Sequence, residues 1–459
     1  MQNFLRLVLF VFVIFFQANS QEYTKNIKGD VIINGSFQST SKAKSGTMFL
    51  YEIKGNDDYL LDSARVQSAK FSFSKREYQT GVYRLSFNNA TNSVDFVINP
   101  AESKQLSLDF ANYRIKKGYS IPSSNENEIK KLYTIKEESV NQQIKLIRKS
   151  KKSRDEKLAE MKILQNELFE YGLSLDEKYP GTYFGMIVSK MQSSNPYASH
   201  LYFNDIDFTD ECIVRSPLLP SRIQTYFQTY SNWPNNKYGF HDAIDVIMEY
   251  AKVNDEVAEF CMYNMLDGFY NTGQTDKKNN PIWGELCNYI MDEYIFGEGC
   301  GDDVDPSDLL KERASQFKNL QIGNIPPNFN ILDINGKRVD LQKTCQNNKY
   351  TVLMFWASHC QHCMAELPGF SNWYNQNKNG NFEVIAVSLD GNQKNWENAI
   401  NNNNFNWINI CEFKVYKSPI CLDFKIKKTP TFFVFNDKME IVSKPRSTHQ
   451  LRSFLLSNK

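Results

Sequence analysis

The chain reads as multidomain, with an N-terminal antiparallel β-sandwich, a central α-helical domain and a C-terminal α/β domain. Three observations carry that reading. Up to about Asp109, apolar residues alternate in short segments separated by Gly, Asn, Asp and Pro, the pattern of half-buried strands. From about Pro122 the spacing changes to the three-and-four rhythm of helices. After Ile325-Pro326-Pro327 continuous apolar runs alternate with helical material, as buried parallel strands require. A length of 459 residues agrees, since that is enough for about three domains.

Composition narrows the function classes. Apolar residues make up 41% and charged residues 23%, which excludes a collagen-like or wholly disordered chain. Lys plus Arg total 53 against 52 for Asp plus Glu, so no global basic field speaks for nucleic-acid binding.

The first twenty residues read as a cleavable signal peptide. Arg6 precedes an unbroken apolar run from Leu7 to Phe16, followed by Ala18-Asn19-Ser20. Ten helical residues reach only about 15 Å, half of a bilayer core, so the run reads as an export signal rather than a span. The mature protein then begins near Gln21, in the periplasm, with no transmembrane span and in an oxidising compartment.

The strands of the sandwich, residues 21–112, are expected at Val31–Gly35, Thr47–Tyr51, Ala69–Phe73, Val82–Phe87 and Val94–Ile98. The helical domain, 113–319, opens with two amphipathic stretches. Ile129, Leu132, Tyr133, Val140, Ile144 and Ile147 fall on one helical face, and Leu158, Met161, Leu164, Leu168 and Tyr171 on one face of the next. The basic run Arg148–Arg154 between them is followed at once by Glu156, Glu160 and Glu167, so it reads as a solvated turn. Asp302-Asp303-Val304-Asp305 lacks the glycine and the final glutamate of a calcium loop and reads as a loop with a helix cap. In the last domain, 320–459, strands are expected at Tyr350–Trp356, Phe382–Ser388, Thr431–Phe435 and Glu440–Ser443, with a terminal helix from Gln450.

The chemistry is concentrated after the first of those strands, in Trp356-Ala357-Ser358-His359-Cys360-Gln361-His362-Cys363. A Cys-x-x-Cys at a strand-to-helix junction puts its first sulfur where free N–H groups and the helix dipole favour thiolate. The second cysteine lies one turn inward, placed to resolve a mixed disulfide. His362 adds positive charge beside Cys360. Rival readings of these residues are weaker. Haem attachment needs His after the second cysteine, where Met364 stands. A zinc site would crowd Cys360, Cys363, His359 and His362 into five residues, too close to surround a tetrahedral ion, so no metal is expected. A merely structural disulfide fits the exported setting but not the strand-to-helix context.

This segment resembles the thioredoxin superfamily, and within it the exported TlpA/ResA-like thiol-disulfide oxidoreductases. Pro368 and Glu366-Leu367-Pro368 are similar to that branch, and Lys428-Thr429-Pro430-Thr431 is similar to its cis-proline loop. The preceding β and helical regions, with Leu201–Phe208, resemble a Bacteroidota-type arrangement. The resemblance implies a thioredoxin-like fold, a redox-active Cys360–Cys363 disulfide and catalytic Cys360 and Cys363. It also implies substrate contacts at Trp356, Thr429 and Pro430, with no cofactor. Met354 stands where thioredoxins carry a buried aspartate, so Glu366 becomes the candidate for proton transfer to Cys363, with helix-end stabilisation as its alternative role. Ala357, where peroxiredoxins need Thr or Ser, argues against peroxidase activity.

The expected function is reduction of disulfides in exported protein substrates, with a membrane or periplasmic thiol donor restoring the dithiol. A non-catalytic cell-envelope binding protein and a net disulfide oxidase or isomerase are the alternatives. Of nine cysteines, seven lie outside the motif. Cys411 and Cys421 are expected as inert thiols or a secondary pair, Cys287 with Cys300 as a candidate bridge, and at least one thiol as free.

Overall fold

The computed structural model describes residues 27–38, 45–55, 57–88, 92–122, 124–196, 199–230, 237–273, 281–297, 304–378 and 381–458. The expected signal peptide at 1–20, the expected start near Gln21, and Cys300, Asp302 and Asp303 lie outside these residues. The described residues divide into two compact units, one within Met1–Asn232 and Asp245–Cys261, the other within Trp233–Ile244 and Met262–Lys459. The helical region is shared between them.

In the first unit, β1 (Lys28–Phe37), β2 (Ser45–Lys54), β3 (Asp57–Gln67), β4 (Lys70–Ser72), β5 (Arg76–Gln79), β6 (Gly81–Phe87), β7 (Ser93–Ile98), β8 (Gln105–Phe110) and β9 (Tyr119–Ser120) form one continuous sheet. Its order is β7-β6-β2-β3-β4-β1-β8-β9, with β5 against β1. All pairings are antiparallel except β1 with β8, where Ile32 opposes Gln105 and Phe37 opposes Phe110. The sheet curls over its own core. Four strand steps separate β6 from β1, about 19 Å if the sheet were flat, yet the rings of Phe37 and Phe87 lie 5.1 Å apart. At the far ends of the path Tyr119 Oη donates to Asp95 O at 2.7 Å, joining β9 to β7. The two layers of the expected sandwich are thus one sheet folded over. Gly35 in β1 belongs to that packing, because a Cβ there would sit 2.2 Å from the Phe71 ring.

Helices α1 (Asn125–Lys149) and α2 (Arg154–Lys178) form an antiparallel hairpin, followed by the short α3 (Tyr183–Ser189). Ser153 caps α2 in a capping box with Glu156, which is why the basic run Arg148–Arg154 ends one helix and starts the next. Glu126 is buried at the start of α1 and accepts from the amides of Tyr183 (2.8 Å) and Phe184 (2.7 Å). Its carboxylate therefore closes the exposed N-terminus of α3. Further on come α4 (Leu218–Tyr230), α5 (Lys237–Ala251) and α6 (Asp255–Gly273). Between α3 and α4, Arg215 has a side chain 2% exposed and is paired with Glu52 of β2 at 2.7 Å and Glu256 of α6 at 2.6 Å. Gly81 gives it room, since a Cβ there would lie 2.5 Å from Arg215 Cβ.

The second unit begins its described C-terminal run with α7 (Pro281–Tyr289), α8 (Asp308–Asn319) and a small hairpin of β10 (Asn330–Leu332) and β11 (Arg338–Asp340). Then follow α9 (Leu341–Gln346), β12 (Tyr350–Trp356), α10 (Gln361–Asn377), β13 (Phe382–Ser388), α11 (Gln393–Asn403), β14 (Ile408–Cys411), α12 (Pro419–Asp423), β15 (Thr431–Phe435), β16 (Ile441–Ser443) and α13 (Thr448–Ser457). The five-stranded sheet runs β14-β13-β12-β15-β16. β13 and β14 are parallel to the β12 direction, and β15 is antiparallel to it. Alternation along β12 sends Val352, Met354 and Trp356 into a core with Leu367 and Phe370 of α10 and Leu451 of α13. Phe355 faces the other way, toward Phe424 and Phe433. Lys444 is buried just after β16, its Nζ 3.9 Å from the Tyr270 ring centroid, and burial pulls its pKa down to about 7.

Removing Arg215 would leave two partly buried carboxylates without their guanidinium. Arg215→Ala is expected to cost the first unit about 3–5 kcal/mol, read as a lower urea midpoint for its unfolding. A midpoint equal to wild type would mean that the pairs contribute nothing.

Candidate functional site

β12 runs straight into the motif and its fully buried end residue, Trp356, closes the strand. The next four residues form a tight turn, with the Cys360 amide donating to Ala357 O at 3.1 Å. Cys360 then stands at the N-cap of α10, in extended conformation, and its Sγ accepts from the Cys363 amide at 3.2 Å. A sulfur so placed receives the positive end of the helix dipole and a direct N–H, both of which stabilise a thiolate. Cys360 is half-buried, whereas Cys363 is wholly buried among Met354, Trp356 and Leu367. The two are joined as a disulfide with a Cα–Cα distance of 5.3 Å.

The loop before β15 closes the site from the side. The Thr429–Pro430 peptide bond is cis, and Cys360 Sγ lies 3.4 Å from Thr429 O. The Cys360 pair, Thr429 and Pro430 are therefore brought together, although 69 residues separate Cys360 from Thr429. Pro430 and Thr431 are partly exposed, leaving backbone beside the sulfur for an extended peptide to meet.

Two expected site residues take other positions. Trp356 has no exposed surface and packs edge-on against Phe405, with ring centroids 5.2 Å apart. It supports the site from beneath and offers nothing to a substrate, because its place on β12 points it into the core. Glu366 turns away from the cysteines: its Oε2 accepts from Thr448 N at 2.9 Å and Thr448 Oγ1 at 3.1 Å. That carboxylate caps the first turn of α13, the helix of a neighbouring element rather than its own. His362 is exposed on the first turn of α10.

Sequence reasoning passed over Asp390. This residue follows β13 and is 2% exposed. Its carboxylate accepts from Ser358 N (2.9 Å), Ser358 Oγ (2.6 Å) and Ser388 Oγ (2.7 Å), and His359 Nδ1 lies 3.4 Å away. A signal existed, for two parallel neighbouring strands bring their C-terminal loops side by side. Asp390 is the acidic residue of the loop next to the motif.

The remaining described cysteines, Cys212, Cys261, Cys287, Cys345, Cys411 and Cys421, are free thiols. Burial pushes all of them up, to about 11 for Cys345 and Cys421 and about 12 for Cys287. Cys411 and Cys421 are thus unpaired thiols, Cys421 buried and Cys411 partly exposed.

Two outcomes follow from this geometry. Because raised thiols hold their protons until the pH approaches those values, iodoacetamide at pH 8 should label Cys360 of the reduced protein far ahead of Cys345, Cys421 and Cys287, as peptide mapping would show. Glu366→Ala removes a cap and should cost about 1–2 kcal/mol in thermal unfolding. If that variant melts like wild type yet exchanges disulfides a hundredfold more slowly, the capping assignment is wrong.

A family model described as thioredoxin-like matches residues 347–441. Over 147 residues the chain is 24% identical to the thiol-disulfide oxidoreductase ResA of Bacillus cereus, which covers 30% of this chain and 78% of that protein. It is 36% identical over 89 residues to ResA of Oceanobacillus iheyensis, 18% of this chain and 45%, under half, of the relative's length. A solved thioredoxin-like protein from Bacteroides caccae aligns with 57% of this chain and 92% of its own, at 16% identity and a TM-score of 0.37. The C-terminal domain of this chain, with its Cys360–Cys363 pair, is thioredoxin-like and is similar in sequence to the ResA thiol-disulfide oxidoreductases.

Proposed function

We propose that the chain is an exported thiol-disulfide oxidoreductase that reduces disulfides of client proteins in the periplasm. One observation carries the reading: Cys360 Sγ sits at the N-cap of α10 with the Cys363 amide aimed at it and the Thr429 carbonyl beside it. In the reduced protein the Cys360 thiolate attacks one sulfur of a client disulfide. The client S–S bond breaks, its other sulfur leaves as a thiolate that takes a proton, and a Cys360–client disulfide forms. Deprotonated Cys363 then attacks Cys360 Sγ, releasing the second client thiol and leaving the Cys360–Cys363 disulfide. The client gains two electrons and two protons, and the enzyme is oxidised by the same amount. A thiol donor at the membrane or in the periplasm returns them.

Three further features support this reading. The apolar burial of Cys363 hides the resolving sulfur, so the partly exposed Cys360 makes the first attack. The cis-Pro430 loop offers a backbone edge for the peptide around the client disulfide. No described helix is long and apolar enough to cross a membrane, and the N-terminal apolar run has the form of an export signal.

Insulin reduction by wild type and by Cys360→Ser tests the proposal. Wild type should accelerate insulin precipitation with dithiothreitol at least tenfold and Cys360→Ser should match the uncatalysed rate. Equal, uncatalysed rates for both would return the chain to the non-catalytic binding reading. Cys363→Ser should hold clients as mixed disulfides on Cys360, visible as reducible adducts on non-reducing gels of periplasmic extract.

A further inference from the structure

We propose that Asp390 is a positioning and charge-setting residue for Cys360: its buried carboxylate fastens the turn that presents the sulfur and, as a fixed negative charge, holds the pair toward reducing power. This inference rests on the reading of Cys360–Cys363 as a redox pair. Asp390 lies on the loop after β13, outside the motif, and reaches the motif through Ser358. Its oxygens accept three hydrogen bonds, from Ser358 N, Ser358 Oγ and Ser388 Oγ. The Ser388 hydroxyl in turn accepts from the Asp390 amide at 3.1 Å, which leaves that hydroxyl's proton for the carboxylate. A side chain that accepts throughout and is almost wholly shielded from water is an anion held in place by neutral donors.

Its charge acts on the sulfur at short range. Ser358 and Cys360 belong to one tight turn, so the carboxylate and Cys360 Sγ are on the order of 10 Å apart. At an effective dielectric of about 20 to 40, a unit charge at that distance shifts an ionisation equilibrium by about tenfold. The sign opposes the α10 N-terminus, which favours the thiolate. In a dithiol-disulfide pair, a stabilised thiolate makes the disulfide more oxidising, so Asp390 moves the pair the other way. That matches a protein that donates electrons to clients.

The other ionisable groups near Cys360 are known from each surrounding element. His359, with a side chain 72% exposed, lies in the same turn and faces Asp390. His362 stands exposed on α10. Tyr416, which is hydrogen-bonded to Thr429, and Lys428 flank the cis-proline side. Comparisons made at one pH keep the last three constant, and carrying His359→Gln in every chain compared removes the imidazole that touches Asp390, so a difference between variants belongs to Asp390.

The test is the equilibrium of the Cys360–Cys363 pair with reduced and oxidised glutathione at pH 7, measured on the full chain for wild type, Asp390→Asn, Asp390→Ser and Asp390→Glu. Both neutral variants should shift the equilibrium toward the dithiol and speed iodoacetamide labelling of Cys360, the two factors multiplying to about tenfold, because a more stable thiolate shows in the first where it is already populated at pH 7 and in the second where it is not. Asp390→Glu, which keeps the charge, should stay within about twofold of wild type. A merely structural aspartate would move the melting temperature and leave the glutathione equilibrium where it is. A folded neutral variant in which neither the equilibrium nor the labelling rate changes overturns the proposal, and so does failure of both neutral variants to fold, which would make the carboxylate structural. The equilibrium is a property of the pair itself, so it can be read even if insulin is not a substrate. Failure of the reductase reading would instead show as an inactive wild type in the insulin assay.

Discussion

The parallel pairing of β12 with β13 is the constraint on which the site depends. Trp356 opposes Ser388, and the Leu389 amide donates to Trp356 O at 2.8 Å, so the pairing continues to the last residue before the turn. Two loops then leave the sheet side by side. One carries Ser358, His359 and Cys360, and the other carries Asp390. A shift of one residue in this register would turn Trp356 out of the core and carry Asp390 away from Ser358. On the other side of β12, antiparallel β15 pairs Phe355 with Thr431, which draws the cis-Pro430 loop against the same end. The cysteine pair is thus held by its two neighbouring strands as much as by its own helix.

The surroundings of the two sulfurs differ in a way that divides their work. Cys360 is half-buried and meets polar groups: the Cys363 amide, the Thr429 carbonyl and, through Ser358, the Asp390 carboxylate. Cys363 sits wholly buried with Met354 and Trp356. An apolar pocket disfavours a charged sulfur, so burial works against a Cys363 thiolate. Met354 makes this pocket drier than an aspartate would. Glu366 does not change that, since its carboxylate is committed to the first turn of α13.

Much of the C-terminal domain was legible beforehand, for a physical reason. Central strands of a parallel sheet are buried on both faces, so Val352 to Trp356 and Val384 to Val387 appear as unbroken apolar runs. A Cys-x-x-Cys directly after such a run can only fall at a strand-to-helix junction. The β region was less legible. β3 shows a mixed pattern of exposed and partly buried positions, and β8 is short. β3 does not stand out by alternation, because its partners decide which face is covered, whereas β8, Gln-Leu-Ser-Leu-Asp-Phe, alternates cleanly and is hidden only by its brevity. The parallel contact of β1 with β8 joins segments whose sequence separation is large, and no local signal reports it.

Local chemistry determined what could be read from sequence alone: the change from strand to helix periodicity, the reactive cysteine spacing, the proline of the facing loop and the charge balance. These depend on neighbours a few residues away. Only the tertiary structure decided where side chains with two competing roles would go. Glu366 could serve a sulfur or a helix end, and the approach of Thr448, 82 residues later, settled it for the helix. Trp356 could face a client or the core, and the pleat of β12 sent it inward. Asp390 carries no motif, and it entered the site because β13 lies parallel beside β12. Each of these outcomes rests on a contact between distant parts of the chain, whose partners sequence spacing does not specify.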